Sequence, residues 1–220
     1  MEPFGELNLG GRVGDTAEAV ETNRHRLARA LGLHLSDLRF MRQVHSAAVS
    51  LASEEETEPV ECDGIVTDRT DVALVVLVAD CTPVLLADRT TGVVGAAHAG
   101  RVGMMAGVVP ATVRRMRALG AEQIEAVVGP SICARCYEVP AEMRDEAADV
   151  VPVAASVSWT GTPAIDVAGA VVEQLHAEEV RVRWLPGCSR ESPDLYSHRR
   201  EAPTGRYAGV VRLLPPEGAA

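Results

Sequence analysis

The sequence predicts an α/β (α+β) layered sandwich with mixed β-sheets, folded as one domain over residues 1–220. Three observations carry that expectation. Apolar runs of strand length alternate with amphipathic runs of helix length along the chain. Hydrophobic residues make up 47% of the sequence, enough for a sizeable core. Aromatic residues make up only 3%, so that core must be built mainly from Val, Leu and Ala. Neither an internal repeat nor a linker divides the chain.

Residues 15–33 read as the first helix, with Asp15 or Thr16 as its cap, Gly32 as its stop, and Arg24, Arg26 and Arg29 on its polar face. Residues 38–49 form a strand-like run that carries Arg42, Gln43 and His45, and the acidic residues 53–58 read as a solvated loop. Residues 71–79 are a Val-rich apolar run, the pattern of a strand buried on both faces. Two strands follow over 83–88 and 93–97, joined by Arg89-Thr90-Thr91-Gly92. Residues 103–119 read as one helix with a stripe of Met104, Met105, Val108, Val109, Val113 and Met116, stopped by Gly120. Residues 124–128 are a strand leading into Gly129-Pro130. Residues 140–150 and 166–177 are helices, 180–185 a strand, and the Pro/Gly-rich 211–220 a loose tail.

Charge and composition exclude several classes. A net charge of −10 makes the chain a poor general binder of nucleic acid or of anionic membrane, while leaving room for a local basic pocket. Every basic residue is Arg, which excludes a lysine Schiff base and a P-loop lysine. The N-terminus lacks the charged-then-apolar pattern of a signal, and no apolar run approaches the ~18–20 residues of a membrane span. The expected address is cytoplasmic. Five cysteines in such a chain argue against a disulfide framework.

The hairpin places two reactive side chains together. If Asp88 and Val93 close an antiparallel pair, Pro83 faces His98 and Cys81 faces Gly100, and a small register shift would set Cys81 opposite His98. Cross-strand neighbours have Cβ atoms about 4.5–5.5 Å apart. Ala79, Ala96, Ala97, Ala99 and Gly100 leave room there for a metal or substrate. A lone buried Cys usually acts as a small hydrophobe, and a lone His at a strand end usually has a structural partner. Their pairing is what points to chemistry. Spacing alone does not bring His45 to them.

The segments Arg42-Gln-Val-His45-Ser, Ala79-Asp-Cys-Thr-Pro83 and Ala97-His-Ala-Gly100 resemble three hallmark motifs of the YfiH-like family, also labelled multicopper polyphenol oxidase or laccase domain. Further matches are Leu7-Asn-Leu-Gly10, Val13-Gly-Asp15, Asn23-Arg24, Asp63-Gly-Ile-Val-Thr-Asp68, Gly129-Pro-Ser-Ile132, Tyr137-Glu-Val139, Tyr196-Ser-His-Arg-Arg200 and Gly205-Arg206. They run in order across nearly the whole chain. The resemblance implies a layered α/β fold and a zinc-dependent purine nucleoside phosphorylase acting on adenosine, inosine, guanosine and methylthioadenosine, with adenosine deaminase activity. It also carries a link to peptidoglycan editing. The family's two histidines and one cysteine map onto His45, Cys81 and His98, a ligand set that suits catalytic zinc with its fourth position open. The implied partners are purine nucleosides and phosphate, and the expected assembly is a monomer or small homo-oligomer.

Asp80, beside Cys81, is the candidate proton shuttle or partner of a ligating histidine, although neighbouring strand residues point to opposite faces. Phosphate in a chain without lysine calls for arginine. The resemblance places Arg24 near substrate, and Arg42, Arg199 and Arg200 follow it, with a surface salt bridge the commoner role for Arg42. Asn8 and Gln43 are polar candidates for ribose or base. Where the family continues with Trp-Arg-Gly, this chain reads Arg101-Val102-Gly103, so Arg101 is left to supply the charge. Family members usually carry another strand and a Gly-rich turn before the segment matching Leu7-Asn-Leu-Gly10; here either the start is trimmed or that strand is absent, which leaves one wall of the site open.

Other readings use the same residues. Copper can bind two His and one Cys, but six histidines are too few for a multicopper oxidase. A metal-independent cysteine hydrolase would use Cys81 as nucleophile and His98 as base. A non-enzyme reading is a metal-stabilised interaction module. Cys133-Ala-Arg-Cys136 alone is half a zinc site or a redox pair. With no second C-x-x-C, its expected role is structural or incidental, and sequence spacing alone assigns no partner to Cys62 or Cys188.

Overall fold

The structure, a computed structural model, describes residues 3–53 and 59–214. The expected acidic loop and loose tail therefore lie largely outside the described residues, at 54–58 and 215–220. In chain order the elements are α1 (Ala17–Ala30), β1 (Leu38–Phe40), β2 (Val49–Leu51), β3 (Gly64–Thr67), β4 (Ala73–Val78), β5 (Thr82–Asp88) and β6 (Val93–Ala99). There follow α2 (Arg101–Ala106), α3 (Val108–Ala118), β7 (Glu125–Val128), α4 (Ala141–Val150), β8 (Ala155–Val157), β9 (Pro163–Ile165), α5 (Val167–Ala177), β10 (Arg181–Trp184) and β11 (Tyr207–Arg212).

Side-chain alternation along the strands sorts these elements into layers. On β5, Val84 and Leu86 point into a core with Met104, Val108, Val113, Met116, Val171 and Leu175 of the helices. Leu85 and Ala87 point the other way, into a core with Leu74, Val76 and Val78 of β4. The remaining face of β4, with Ala73 and Val75, packs on Leu27 and Ala28 of α1. The order is thus α1, a three-stranded sheet β1-β4-β11, a six-stranded sheet β10-β7-β5-β6-β3-β2, and the other helices. Both sheets mix parallel and antiparallel pairs, as expected from the sequence. β4 is buried on both faces because it is the middle strand of the middle-layer pair, and it sits in a different sheet from the β5–β6 hairpin that follows it.

Local chemistry explains the boundaries. Thr16 caps α1 by accepting the Ala19 N–H, while Asp15 accepts the N–H of Thr16 itself. The helix expected over 103–119 is two helices. Gly107 sits at φ 82°, in the left-handed region, and breaks the run. The break puts Pro110 in the first turn of α3, where its missing N–H costs nothing. The strand-like run over 38–49 is likewise divided: β1 ends at Phe40 and β2 starts at Val49. Between them His45 has φ 62°, which no strand accommodates. Strands β3, β8, β9 and β11 are additional to the sequence reading, and residues 211–212, expected to be loose, close β11 against β4.

Candidate metal centre and substrate cavity

Hairpin register fixes the first half of the site. Pro83 pairs with His98 and Asp88 with Val93, so the unshifted register holds. Cys81 lies just before β5 and faces the end of β6, where Gly100 has no side chain. A methyl group there would sit 2.7 Å from His45 Cδ2 and 2.9 Å from Cys81 Sγ. Bare backbone at Gly100 is what allows His45 and Cys81 to approach each other beside His98.

His45 arrives through Asp63, which opens the segment Asp63-Gly-Ile-Val-Thr-Asp68. The Asp63 carboxylate is fully buried. It accepts the backbone N–H groups of Val44, His45 and Ser46 at 3.1, 3.0 and 2.6 Å, and the Ser46 hydroxyl at 2.9 Å. Three successive N–H groups on one carboxylate take the place of strand pairing and hold His45 in its left-handed conformation. Asp63 also bonds His98 Nδ1 at 2.8 Å. One carboxylate therefore orients both imidazoles, and the bond at Nδ1 leaves Nε2 of His98 for a metal.

The ligand atoms of His45, Cys81 and His98 all lie within 4.8 Å of one another. Cys81 Sγ is 3.7 Å from His45 Nε2, and the two imidazole centroids are 4.8 Å apart. Burial raises the Cys81 thiol, but the charge of His98 and hydrogen bonds from both histidines outweigh it and bring it down to about 6. Burial lowers His98, while the Cys81 thiolate and Asp63 raise it to about 9. Each group thus favours the charged form of the other. Burial also raises Asp63, but its hydrogen bonds, led by the one from His98, hold it well below the usual carboxylate range. Two imidazoles and a thiolate within reach of one ion are a set that suits zinc, and all three residues line a cavity that offers the fourth position.

That cavity has a volume of about 670 Å³. Among the described residues it is lined by six arginines (Arg12, Arg24, Arg42, Arg101, Arg199 and Arg206) and by one carboxylate, that of Asp80. In a chain of net charge −10, this is a concentrated basic wall. Arg24 stacks 4.2 Å from the Phe40 ring centroid and donates through Nε and Nη2 to Leu9 O. Arg199 lies over Tyr137 and donates to Glu138 O. Arg42 pairs with Glu61 at 3.1 Å, the salt bridge that was its alternative role. Arg101 reaches the cavity and lies 4.0 Å from Glu146. Arg200 is not in the wall. It donates to Ser189 O, Ser192 O and Leu195 O, and so ties a loop together.

Asp80 lines the cavity at φ 86° and accepts from Ser189 Oγ at 2.6 Å and from the Arg199 N–H at 2.7 Å. Gln43 also lines it, with its amide paired to both backbone groups of Leu77. Asn8 is fully buried and outside the wall. It accepts the N–H groups of Gly10 and Arg206 and donates to Asp15, so it shapes the loop behind Arg206. Cys62 is packed between the sheets. Cys188, which showed no partner in the sequence, meets Cys133, Cys136 and Glu191. No helix among the described residues is long and apolar enough to cross a membrane.

Comparison with known proteins gives a consistent picture. Purine nucleoside phosphorylase ORF3 of Streptomyces griseus is 52% identical over 217 residues, covering 96% of this chain and 88% of that protein. Purine nucleoside phosphorylase Rv2149c of Mycobacterium tuberculosis is 42% identical over 215 residues, with 95% and 85% covered. Neisseria meningitidis protein NMB0706 superposes with a TM-score of 0.89 at 33% identity, covering 98% of this chain and 89% of that one. Bacillus licheniformis YfiH does so with a TM-score of 0.89 at 26% identity, covering 97% and 88%. The family model described as multi-copper polyphenol oxidoreductase laccase matches residues 1–214. On its sequence, its layered fold and these relatives, the chain belongs to that family, the YfiH-like proteins.

Proposed function

We propose that this chain is a zinc-dependent purine nucleoside phosphorylase acting on adenosine, inosine, guanosine and methylthioadenosine, and that the same centre deaminates adenosine. One observation carries the reading: an open set of two imidazoles and one thiolate faces a cavity walled by arginine. Two relatives above 40% identity bear the phosphorylase name. Zinc held by His45, Cys81 and His98 would supply a Lewis acid and acidify a bound water.

The rest of the chemistry falls to the protein. Phosphorolysis breaks the C1′–N9 bond and forms a C1′–O bond to phosphate, so a dianionic nucleophile must be held beside the ribose while the purine leaves with a proton. Arg24 is the first candidate to hold it. Its two bonds to Leu9 O fix the guanidinium plane, and Nη1 is the remaining donor edge. Arg206, anchored through Nη1 on Thr204 O and Gly205 O, stands in the same wall. Phe40 and Tyr137 are two of only seven aromatic residues in the chain, and both face this cavity, where a purine can stack. Asp80 is the carboxylate available to take up and return a proton, aimed by Ser189 and Arg199. Gln43 offers its amide to ribose or base only by giving up a bond to Leu77, which makes it the weaker contact.

The test is to incubate the zinc-loaded protein with adenosine and phosphate and to follow adenine, ribose 1-phosphate and inosine. Absence of all three, with zinc shown to be bound, contradicts the reading. A second reading draws on the Cys81–His98–Asp63 array, which has the order of a thiolate, a base and an orienting carboxylate. A cysteine hydrolase of that kind has no use for His45, and its activity would survive metal removal.

A further inference from the structure

We propose that Cys133, Cys136, Cys188 and Glu191 form a second, closed metal centre, a structural zinc site that clamps together the two loops gripping Asp80. The C-x-x-C pair does have a counterpart. Cys188-Ser-Arg-Glu191 repeats the spacing of Cys133-Ala-Arg-Cys136 with a carboxylate in the last place. The backbone repeats it too. The Cys136 N–H donates to Cys133 O at 3.0 Å, and the Glu191 N–H donates to Cys188 O at 3.2 Å. Each loop is thus a tight turn that presents its first and fourth residues to the same side. The two turns face each other, and the four ligand atoms all lie within 4.8 Å of one another. A tetrahedron with zinc–sulfur bonds of about 2.3 Å needs ligand atoms about 3.7 Å apart, so the cluster closes on an ion by small side-chain rotations.

The surroundings have the form of a metal site's outer shell. Trp159 Nε1–H donates to Glu191 Oε1 at 3.3 Å and aims the carboxylate. The Cys133 N–H points at Cys188 Sγ at 3.4 Å, a donor to a sulfur that zinc would hold as thiolate. Arg135 and Arg190 precede the last ligand of each turn, and Arg135 lies 5.0 Å over the ring of Trp159, which donates to Glu191. No two of the five cysteines form a disulfide. Four protein ligands leave no open position, which makes the site structural. Its mechanical consequence follows from two further bonds. The Ile132 N–H, from the first loop, donates to Asp80 O at 2.9 Å, and Ser189, inside the second turn, donates to the Asp80 carboxylate. Locking the turns together therefore fixes the residue next to Cys81.

The site stands on its own four ligands and is tested apart from the first. Zinc content per chain is measured by mass spectrometry for the wild type, Cys81→Ala and Cys188→Ser, each purified without added metal or reductant. The expected contents are about two, one and one. Cobalt loaded into Cys81→Ala should give a tetrahedral spectrum with strong thiolate charge-transfer absorption. Should Cys188→Ser fail to fold, Glu191→Gln keeps all three thiolates and should lose its zinc to a chelator at least about tenfold faster. Cys81→Ala without zinc, a disulfide between any two of Cys133, Cys136 and Cys188, or unchanged zinc release in Glu191→Gln would each overturn the proposal.

Discussion

The two cysteine-bearing clusters are built in opposite ways. His45, Cys81 and His98 come from three separate segments, meet over the bare backbone of Gly100, and present three ligands to an arginine-walled cavity. Cys133, Cys136, Cys188 and Glu191 come from two turns of the same design and present four ligands to one another. An open set leaves a place for water or substrate, whereas a closed set supplies folding energy and holds in place what its loops grip. The difference teaches that ligand type alone does not tell a working site from a brace. The number of protein ligands and what faces the remaining position do.

The largest expected effect separates the two clusters directly. Cys81→Ala should abolish turnover and show the smaller loss of thermal stability, that of one bound ion. Cys136→Ser should show the larger loss of stability, lowering the melting temperature by at least about 6 °C, the shift that about 3 kcal/mol produces in a chain of this size, and should lose only part of its turnover, through the loosened hold on Asp80. Melting curves and initial rates on both variants check this. If Cys136→Ser abolished turnover with its melting temperature intact, the division would fail.

Gly100→Ala comes next. Its new methyl group falls within 3 Å of both His45 and Cys81, so the ligands must part. A displacement of that kind should cost about 10²-fold in kcat/KM and release the zinc of the open site alone. Asp63→Asn is a smaller version of the same fault. An amide nitrogen cannot accept the N–H groups of Val44 and Ser46, and His98 loses its charged partner. Zinc affinity at the open site should fall about 10–100-fold, as measured by competition with a chromogenic chelator. Retention of full affinity would show that Asp63 is not what holds the histidines.

The smallest effect lies away from both clusters. Burial raises Asp88, but backbone N–H groups of Gln123, Glu122, Thr91 and Thr90 bring it from 3.8 down to about 2. A depressed carboxyl contributes stability that is complete above about pH 4 and is lost as pH falls through about 2. Asp88→Asn should remove that part of the acid dependence, cost about 1–3 kcal/mol at neutral pH, and leave zinc content unaltered. Acid unfolding followed by circular dichroism checks it.

Particular residues show why some of this was legible in the sequence. The cap at Thr16 and the β5–β6 register follow from contacts close along the chain, where turn chemistry decides. Thus Pro83 opposite His98 could be read directly, and so could Cys81 facing Gly100. No register shift is needed to bring Cys81 to the site, because the missing side chain of Gly100 leaves it room. The strand expected through His45 fails because Asp63, 18 residues away, takes the N–H groups that a neighbouring strand would have taken. Strand β11 went unseen because its partner β4 lies more than 120 residues earlier. The same distance effect hid Cys188 and Glu191 from Cys133 and Cys136. Spacing revealed one turn, and only the fold brings the second to it. Arg206 and Asp63 both lay inside recognised motifs, and only their contacts give them a role.

The most direct test of the account is phosphate-dependent formation of ribose 1-phosphate from inosine and adenosine by the wild type and by Cys81→Ala. The wild type, carrying about two zinc ions per chain, should form it. Cys81→Ala, retaining only the zinc of the closed cluster, should form none. Equal turnover by both proteins, or no turnover by a fully zinc-loaded wild type, would contradict the account.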